Sequence, residues 1–461
     1  MAEEFKTLGH STPRIDGLQR VTGRATYSAD VQLPGMLYAR VLRSPHPHAR
    51  ILRMDLAKAL SAPGVKAILT HENCRLVWSS GDRVNKRYLF NNPVRFVGDA
   101  VAAVAATNRH LAEEALKLIS VEYELLDFVL DAEEALQPGA TEIHPGGNLS
   151  PIISFRSTEP GKREPSIYMR GDVEKGFAAS DFVFEDRYVS KHVNNAQMEP
   201  RVALAHWEGD KLTVWTPTQG IANCQRDIAR DMNLALEKVR VVCQYMGGGF
   251  GNKNQCQDSD LMAAQLAKET ALPVKLELSR KEDFVCVHGR WPTSQNYKVG
   301  VLKDGTLQSI QLRGYSGMGA YRKSGGGISG VEYFRCPNVK TEIYPAYTNT
   351  AVSANFRGPP YPQGVFGIAS ILDDISHELK IDPVDFYLKN VTRKFRDSIP
   401  YTSSGLLECI RQGAELFEWK KRWHPAGSQQ GPIKTGIGLA AGGFGASVGR
   451  SSAVLRLDSE G

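Results

Sequence analysis

At 461 residues, 42% of them hydrophobic, the chain is long enough to bury two or three cores. Its 56 Lys and Arg against 50 Asp and Glu leave a net charge of +6, interspersed rather than blocked, which removes the basis for nucleic-acid binding. No apolar run reaches the ~18 residues of a membrane span, the start MAEEFKTLGHSTPR lacks the apolar centre of a secretory signal, and seven scattered cysteines without a C-x-x-C pair point to reduced thiols in the cytoplasm.

Residues 1–22 read as an extended arm. Strand patterns follow at 27–31, 36–44, 49–56, 65–70, 100–106 and 121–126, with a helix over 108–119, so residues 23–136 form an α+β unit. His46 and His48 would share a face on a strand, but prolines flank them and no further ligand is near, which argues against a metal pair. Residues 137–165, rich in Pro, Gly and Ser, read as a linker.

In the second unit, 166–400, strands are expected at 182–190, at 202–216 around a turn at 208–210, and at 239–246. A further turn at 303–305 joins two more strands. Helices are expected over 221–236, 258–270 and 365–379, and Asp382-Pro383 supplies an N-cap and first-turn proline for a short helix to Asn390. A third unit, 401–461, begins with a helix over 405–417 and continues into a glycine-rich strand region. Its last strand pattern, 452–457, runs into turn residues with no return strand, and an unpaired edge predicts completion by another chain.

The chain is organised around residues 239–284. A strand pattern enters Gly247-Gly248-Gly249-Phe250-Gly251 and a helix pattern leaves it. Such a loop can present bare N–H groups to an anion, or can simply be a turn. Its spacing is neither G-x-G-x-x-G nor the phosphate loop ending in Gly-Lys-Ser/Thr.

The motifs MGGGFGNK, MAAQLA and LPVKLELSRKEDF, with RIDGLQRVTGRATYSADV, RSPHPHARI, MEPR, ANFRGPPYPQG and IDPVDFYLKN, run through nearly the whole chain. Together they resemble the molybdopterin-binding large subunit of the xanthine oxidase family of molybdenum hydroxylases. The resemblance implies an α+β (mixed α/β) fold: a small hammerhead-like domain, a first molybdopterin-binding domain, and the start of a second one completed by another chain, as in the split arrangement of nicotinate dehydrogenase-type members. It implies a molybdopterin-type molybdenum cofactor, in the cytosine dinucleotide form or another. It also implies a second molybdopterin-binding chain, a [2Fe-2S] subunit and an FAD subunit as partners, since this chain has no cysteine framework for electron transfer.

By the same resemblance Gln219, Gly248, Gly249, Phe250, Gly251 and Arg357 bind the cofactor, with Gln219, Phe250 and Arg357 beside the molybdenum. An amide, bare N–H groups and a guanidinium suit an anionic oxo-metal centre. The catalytic base, a glutamate in the family, is expected on the partner chain. Glu199 in MEPR reads as a structural hydrogen-bond acceptor. Asn252, where the family has glycine, adds a side chain to the cofactor loop.

The family's purine contacts are absent: Asn254 follows Lys253 where a glutamate is expected, Pro359 replaces the stacking aromatic residue, and Gly325-Gly326-Gly327 replace a second arginine. The expected pocket is roomier, lined by Asn254, Tyr321, Gly326, Pro359, Tyr361 and Ser447, with residues 444–450 contributing. The function expected is the molybdenum subunit of a hydroxylase or dehydrogenase that oxidises a bulky non-purine small molecule with water as oxygen source. Hydration or reduction on the same scaffold, and a non-catalytic scaffold or cofactor carrier, are the alternatives.

Overall fold

The computed structural model describes residues 9–82, 84–151, 163–425, 427–444 and 452–455. Strands β1 (Leu37–Arg43), β2 (Ala49–Asp55), β3 (Val65–Thr70), β4 (Ala100–Ala106) and β5 (Ser120–Leu125) arise from the alternating patterns of the first quarter. They are followed by β6 (Ser166–Arg170), β7 (Phe182–Ser190), β8 (Val202–Glu208), β9 (Lys211–Trp215), β10 (Val239–Val242) and β11 (Val274–Glu277). The last long strands are β12 (Thr293–Val301), β13 (Leu307–Gly319) and β14 (Asn338–Tyr347).

Two sheets organise the molecule. The first is mixed, in the order β10-β9-β8-β11-β1-β4-β3, and β1 lies parallel to β11 with Leu37 opposite Val274. The N-terminal unit and the first half of the second unit therefore share one sheet and one core, although a linker separates them in sequence. Strand β4, Ala-Val-Ala-Ala-Val-Ala-Ala, is buried along its length because both faces are covered. Ala102 and Val104 meet the helix Arg109–Lys117, while Ala103 and Ala105 meet the main core.

Onto the main core packs the helix Asp258–Thr270, buried nearly all round and opened by a capping box between Gln257 and Asp260. The second sheet has the order β6-β14-β13-β12-β7. Helix Tyr361–Glu378 covers it with Ile368, Ile371, Leu372 and Ile375, the i, i+3, i+4, i+7 stripe of a core-facing helix. Asp382 caps the next helix, Pro383–Asn390, by accepting the Val384 N–H at 2.8 Å, and also accepts from Trp419 Nε1 at 3.0 Å.

Four expectations are corrected. The arm carries a helical turn, Gly17–Val21, and residues 27–31 form turns because Tyr27 N–H bonds Asp30 Oδ2 instead of a ladder partner. Beyond the helix Leu406–Leu416, the glycine-rich residues 433–444 form no strand; Ile437, Leu439 and Ala441 instead pack against the second core. Residues 452–455 are likewise outside any strand, and the remainder of the expected 452–457 strand lies outside the described residues. No helix among the described residues is long and apolar enough to cross a membrane.

Candidate functional site

Strand β10 delivers the chain to the edge of the first sheet, where residues 247–251 turn back toward the helix Asp258–Thr270. Gly248, Phe250 and Gly251 take φ of +97°, +52° and +98°. A side chain on Gly251 would collide with the Asn355 carbonyl oxygen at 2.8 Å. One on Gly249 would fall 2.4 Å from Gln219 Oε1. Glycine is therefore what lets these neighbours close on the loop.

Gln219 sits just beyond β9. Its Oε1 accepts from Gly251 N at 2.9 Å and Lys253 N at 3.3 Å, and its own N–H donates to the Lys253 carbonyl at 2.7 Å. The Nε2 group of the same amide has no acceptor among the described residues. From the other side Arg357 N donates to the Phe250 carbonyl at 2.9 Å, and Asn195 Nδ2 donates to that oxygen at 3.0 Å. Arg290 holds the Arg357 carbonyl at 2.8 Å, while the Arg357 guanidinium is exposed and meets no partner among the described residues. The structure thus brings together Gln219, Gly248, Gly249, Phe250, Gly251 and Arg357, which lie far apart in sequence.

The back of the loop is buried and heavily hydrogen-bonded. Asn252, buried, donates to the His288 carbonyl at 2.6 Å and to Asn195 Oδ1 at 3.3 Å, and it accepts from Arg201. Its side chain points into the protein and staples the loop from behind. His288 Nε2 lies 3.4 Å from the Gly251 carbonyl, and burial, reinforced by Lys323 and Arg201, drives its pKa well below the usual imidazole range. Burial also pulls Lys323 down to about 7. Beneath Gly247, Glu199 Oε2 accepts both the Gly247 N–H at 2.8 Å and the Lys253 ammonium at 3.0 Å, so Glu199 stands as a structural acceptor.

The other side of the loop is partly covered: Gly248 is half-buried, Gly249 is buried and Phe250 is 44% exposed. Among the described residues nothing accepts the N–H groups of Gly248, Gly249 or Phe250. These three N–H donors, the Gln219 amide NH2 and the Arg357 guanidinium, all without partners among the described residues, lie on segments tied together by the hydrogen bonds above, and Glu199 Oε1 and Gln197 Oε1 are buried acceptors without a partner. Donors in this number suit an oxo-anion or an anionic metal-oxo group, and these residues fit it.

The expected substrate pocket divides. Asn254 and Pro359 lie on the two loops just described, and Tyr361 follows at the start of its helix, its ring 5.7 Å from Tyr333 and 5.7 Å from Phe444. Tyr321 does not line a pocket: it is 0% exposed, its hydroxyl donates to Asp99 Oδ2 at 3.2 Å, and the Arg87 guanidinium lies 4.1 Å from its ring. Gly326 does not open space either, since a Cβ there would meet Met318 Sδ at 3.0 Å and Pro345 at 3.1 Å. Ser447 lies outside the described residues.

Sequence reasoning missed Asn195, Arg201, His288 and Arg290, single polar residues in unremarkable segments with no motif to mark them. It also missed that Cys224, Cys256 and Asp260 converge within 4.8 Å. Burial pushes the Cys256 thiol well up, and it donates to the Gln257 carbonyl at 3.4 Å, while Cys224 faces Asp260 Oδ2 at 3.9 Å. This is a hydrogen-bonded core cluster of protonated thiols.

Comparison with known proteins identifies two domains and several relatives. Residues 159–391 match the molybdopterin cofactor-binding domain, and residues 22–127 match the a/b hammerhead domain of aldehyde oxidase and xanthine dehydrogenase. The chain is 33% identical over 451 residues to the xanthine dehydrogenase molybdenum-binding subunit of Escherichia coli O157:H7, covering 93% of this chain and 58% of that one. It is 31% identical over 431 residues to the nicotinate dehydrogenase large molybdopterin subunit of Eubacterium barkeri, covering 90% of this chain and 97% of that one. Among solved structures, quinoline 2-oxidoreductase from Pseudomonas putida 86 superimposes with a TM-score of 0.82 at 25% identity, over 91% of this chain and 55% of the other.

Proposed function

The chain belongs to the xanthine oxidase family of molybdenum hydroxylases, and from that premise we propose that it is the cofactor-holding subunit of an oxidoreductase acting on a bulky non-purine small molecule, an electron-poor N-heterocycle above all. The observation that carries this reading is the row of N–H groups at Gly248, Gly249 and Phe250, the Gln219 amide NH2 and the Arg357 guanidinium, all without partners among the described residues and tied into one loop cluster. The molybdenum cofactor, when bound, supplies two-electron redox chemistry with water as the oxygen source. The chain's own residues bind and orient it: the loop N–H groups and Gln219 donate to its oxygens, and Arg357 balances its negative charge.

Asn254 and Pro359 support a non-purine substrate, because a neutral amide and a proline ring cannot reproduce a carboxylate contact and an aromatic stack. The near-complete match to a nicotinate dehydrogenase large molybdopterin subunit supports a split arrangement with a second molybdopterin chain, and a [2Fe-2S] chain and an FAD chain belong to the same proposal. The cytosine dinucleotide form of the cofactor belongs to the same proposal, as does a cytoplasmic location.

The test is purification from the native host under mild conditions, with molybdenum and iron assays, identification of co-purifying chains, and turnover in 18O-labelled water. Molybdenum, a second molybdopterin chain and label in the product only when an electron acceptor is present are the expected results. Label without an acceptor shows hydration instead, and a metal-free chain purifying alone removes the reading.

A further inference from the structure

The pair under the loop is unusual in its burial. The Lys253 side chain is 0% exposed and that of Glu199 9%, with Nζ 3.0 Å from Oε2. Each partner is gripped twice. Lys253 Nζ also donates to the Glu199 carbonyl at 2.8 Å. Glu199 takes the Gly247 N–H on Oε2 at 2.8 Å and donates its own N–H to the Gly247 carbonyl at 3.2 Å, so both sides of Gly247 are held. A Cβ on Gly247 would lie 2.6 Å from Glu199 Cβ, which shows how closely the carboxylate arm covers that residue.

Lys253 reaches the other half of the site as well. Its carbonyl accepts from Gln219 N at 2.7 Å and Thr218 Oγ1 at 3.2 Å. One residue therefore joins the base of the glycine loop to the strand end that carries Gln219. A buried ion pair is weak evidence for stability, since well-packed apolar replacements serve as well or better. What it supplies is geometry: its hydrogen bonds accept only one placement of Gly247, and the N–H groups of the next three residues follow from that placement.

Resting on the cofactor-binding reading above, we propose that Glu199 and Lys253 are positioning residues of the cofactor loop, whose buried pair fixes Gly247 and thereby aims the N–H groups of Gly248, Gly249 and Phe250 at the anionic group. Neither touches that group through its own charge. The pair is neutral as a unit, so the positive field at the loop comes from the N–H groups and Arg357.

The test compares the native complex with Glu199→Gln/Lys253→Met, which removes both charges and leaves no lone buried ion, and with Glu199→Asp, which keeps both charges and withdraws the carboxylate from Gly247 by one methylene. Three quantities are measured: the thermal midpoint, hydrogen exchange of residues 246–253, and molybdenum lost on dialysis. For the double variant the expected result is a midpoint within a few degrees of wild type, with loop exchange and molybdenum loss each at least tenfold faster. Glu199→Asp shows about a threefold change and carries the test if the double variant does not fold. Wild-type exchange and wild-type retention in a folded variant overturn the proposal while leaving the cofactor reading intact. A wild-type complex without molybdenum overturns both.

Discussion

Two glycine clusters, 247–251 and 325–327, have similar composition and opposite uses. In the first, the glycines let neighbours close on the backbone while leaving donors over: Gln219, Asn355 and Glu199 approach the loop, and three N–H groups are left without an acceptor among the described residues. In the second, the glycines make room for neighbours: the Trp291 ring fills the space over Gly325, and Met318 and Pro345 fill that over Gly326. The first is a cradle and the second is packing. What separates them is which side the surrounding side chains occupy.

Substituting Gly325 breaks the packing half most severely. An added Cβ would lie 2.2 Å from the Trp291 ring at φ +88°. Gly325→Ala is expected to cost about 4 kcal/mol, from overpacking plus a left-handed backbone, with loss of cooperative thermal unfolding as the readout.

A second lever is pH, through two buried neutral histidines. His288 lies behind the first cluster, and His144 packs against Tyr321, four residues before the second, with its Nε2 2.7 Å from the Ala320 carbonyl. Burial pulls His144 down to about 4 from the usual 6.5. The unfolded chain takes up a proton below about pH 6.5 while the folded one does not, so stability is full above that pH and is lost as pH falls toward 4. The loss reaches about 3 kcal/mol for this one residue. Urea unfolding at pH 7 and pH 4.5 measures it, and His144→Gln should flatten the dependence.

In the cradle half the effects shift from stability to binding. Gly249→Ala directs its Cβ at Gln219, 2.4 Å from Oε1 and 2.9 Å from Cγ, so the amide must leave its bonds to Gly251 and Lys253; stability should drop by about 2 kcal/mol while molybdenum content falls several-fold. Arg357→Lys is the mildest. With its guanidinium exposed and unpaired, the thermal midpoint should move by the equivalent of less than about 0.5 kcal/mol, yet molybdenum retention should fall because the planar two-pronged donor is lost. Equal molybdenum in Gly249→Ala and wild type would erase the distinction between cradle and packing.

Much of the fold was legible where the signal is local. The helix Asp258–Thr270, strand β7 at Phe182–Ser190 and the turns at 208–210 and 303–305 follow from periodicity and turn residues within a few positions. The site residues followed from motif order. Tyr321 was misread because a tyrosine beside a glycine cluster carries no mark of its direction, and Asp99, Arg87 and His144, distant in sequence, draw it inward. The loop's supports at Asn195, Arg201 and His288 were invisible for the same reason.

Sequence by itself determined the family and most of the element types, because periodicity, glycine spacing and motif order are properties of neighbours along the chain. Only the tertiary structure decided that β1 pairs with β11 to merge two units into one sheet, that Asn252 points inward as a staple, and that Gln219, Asn355 and Glu199 close on one glycine cluster while Trp291, Met318 and Pro345 fill the other. Those outcomes depend on which distant side chains arrive on each face of a strand or loop. That is settled by burial and hydrogen-bond satisfaction over the whole molecule.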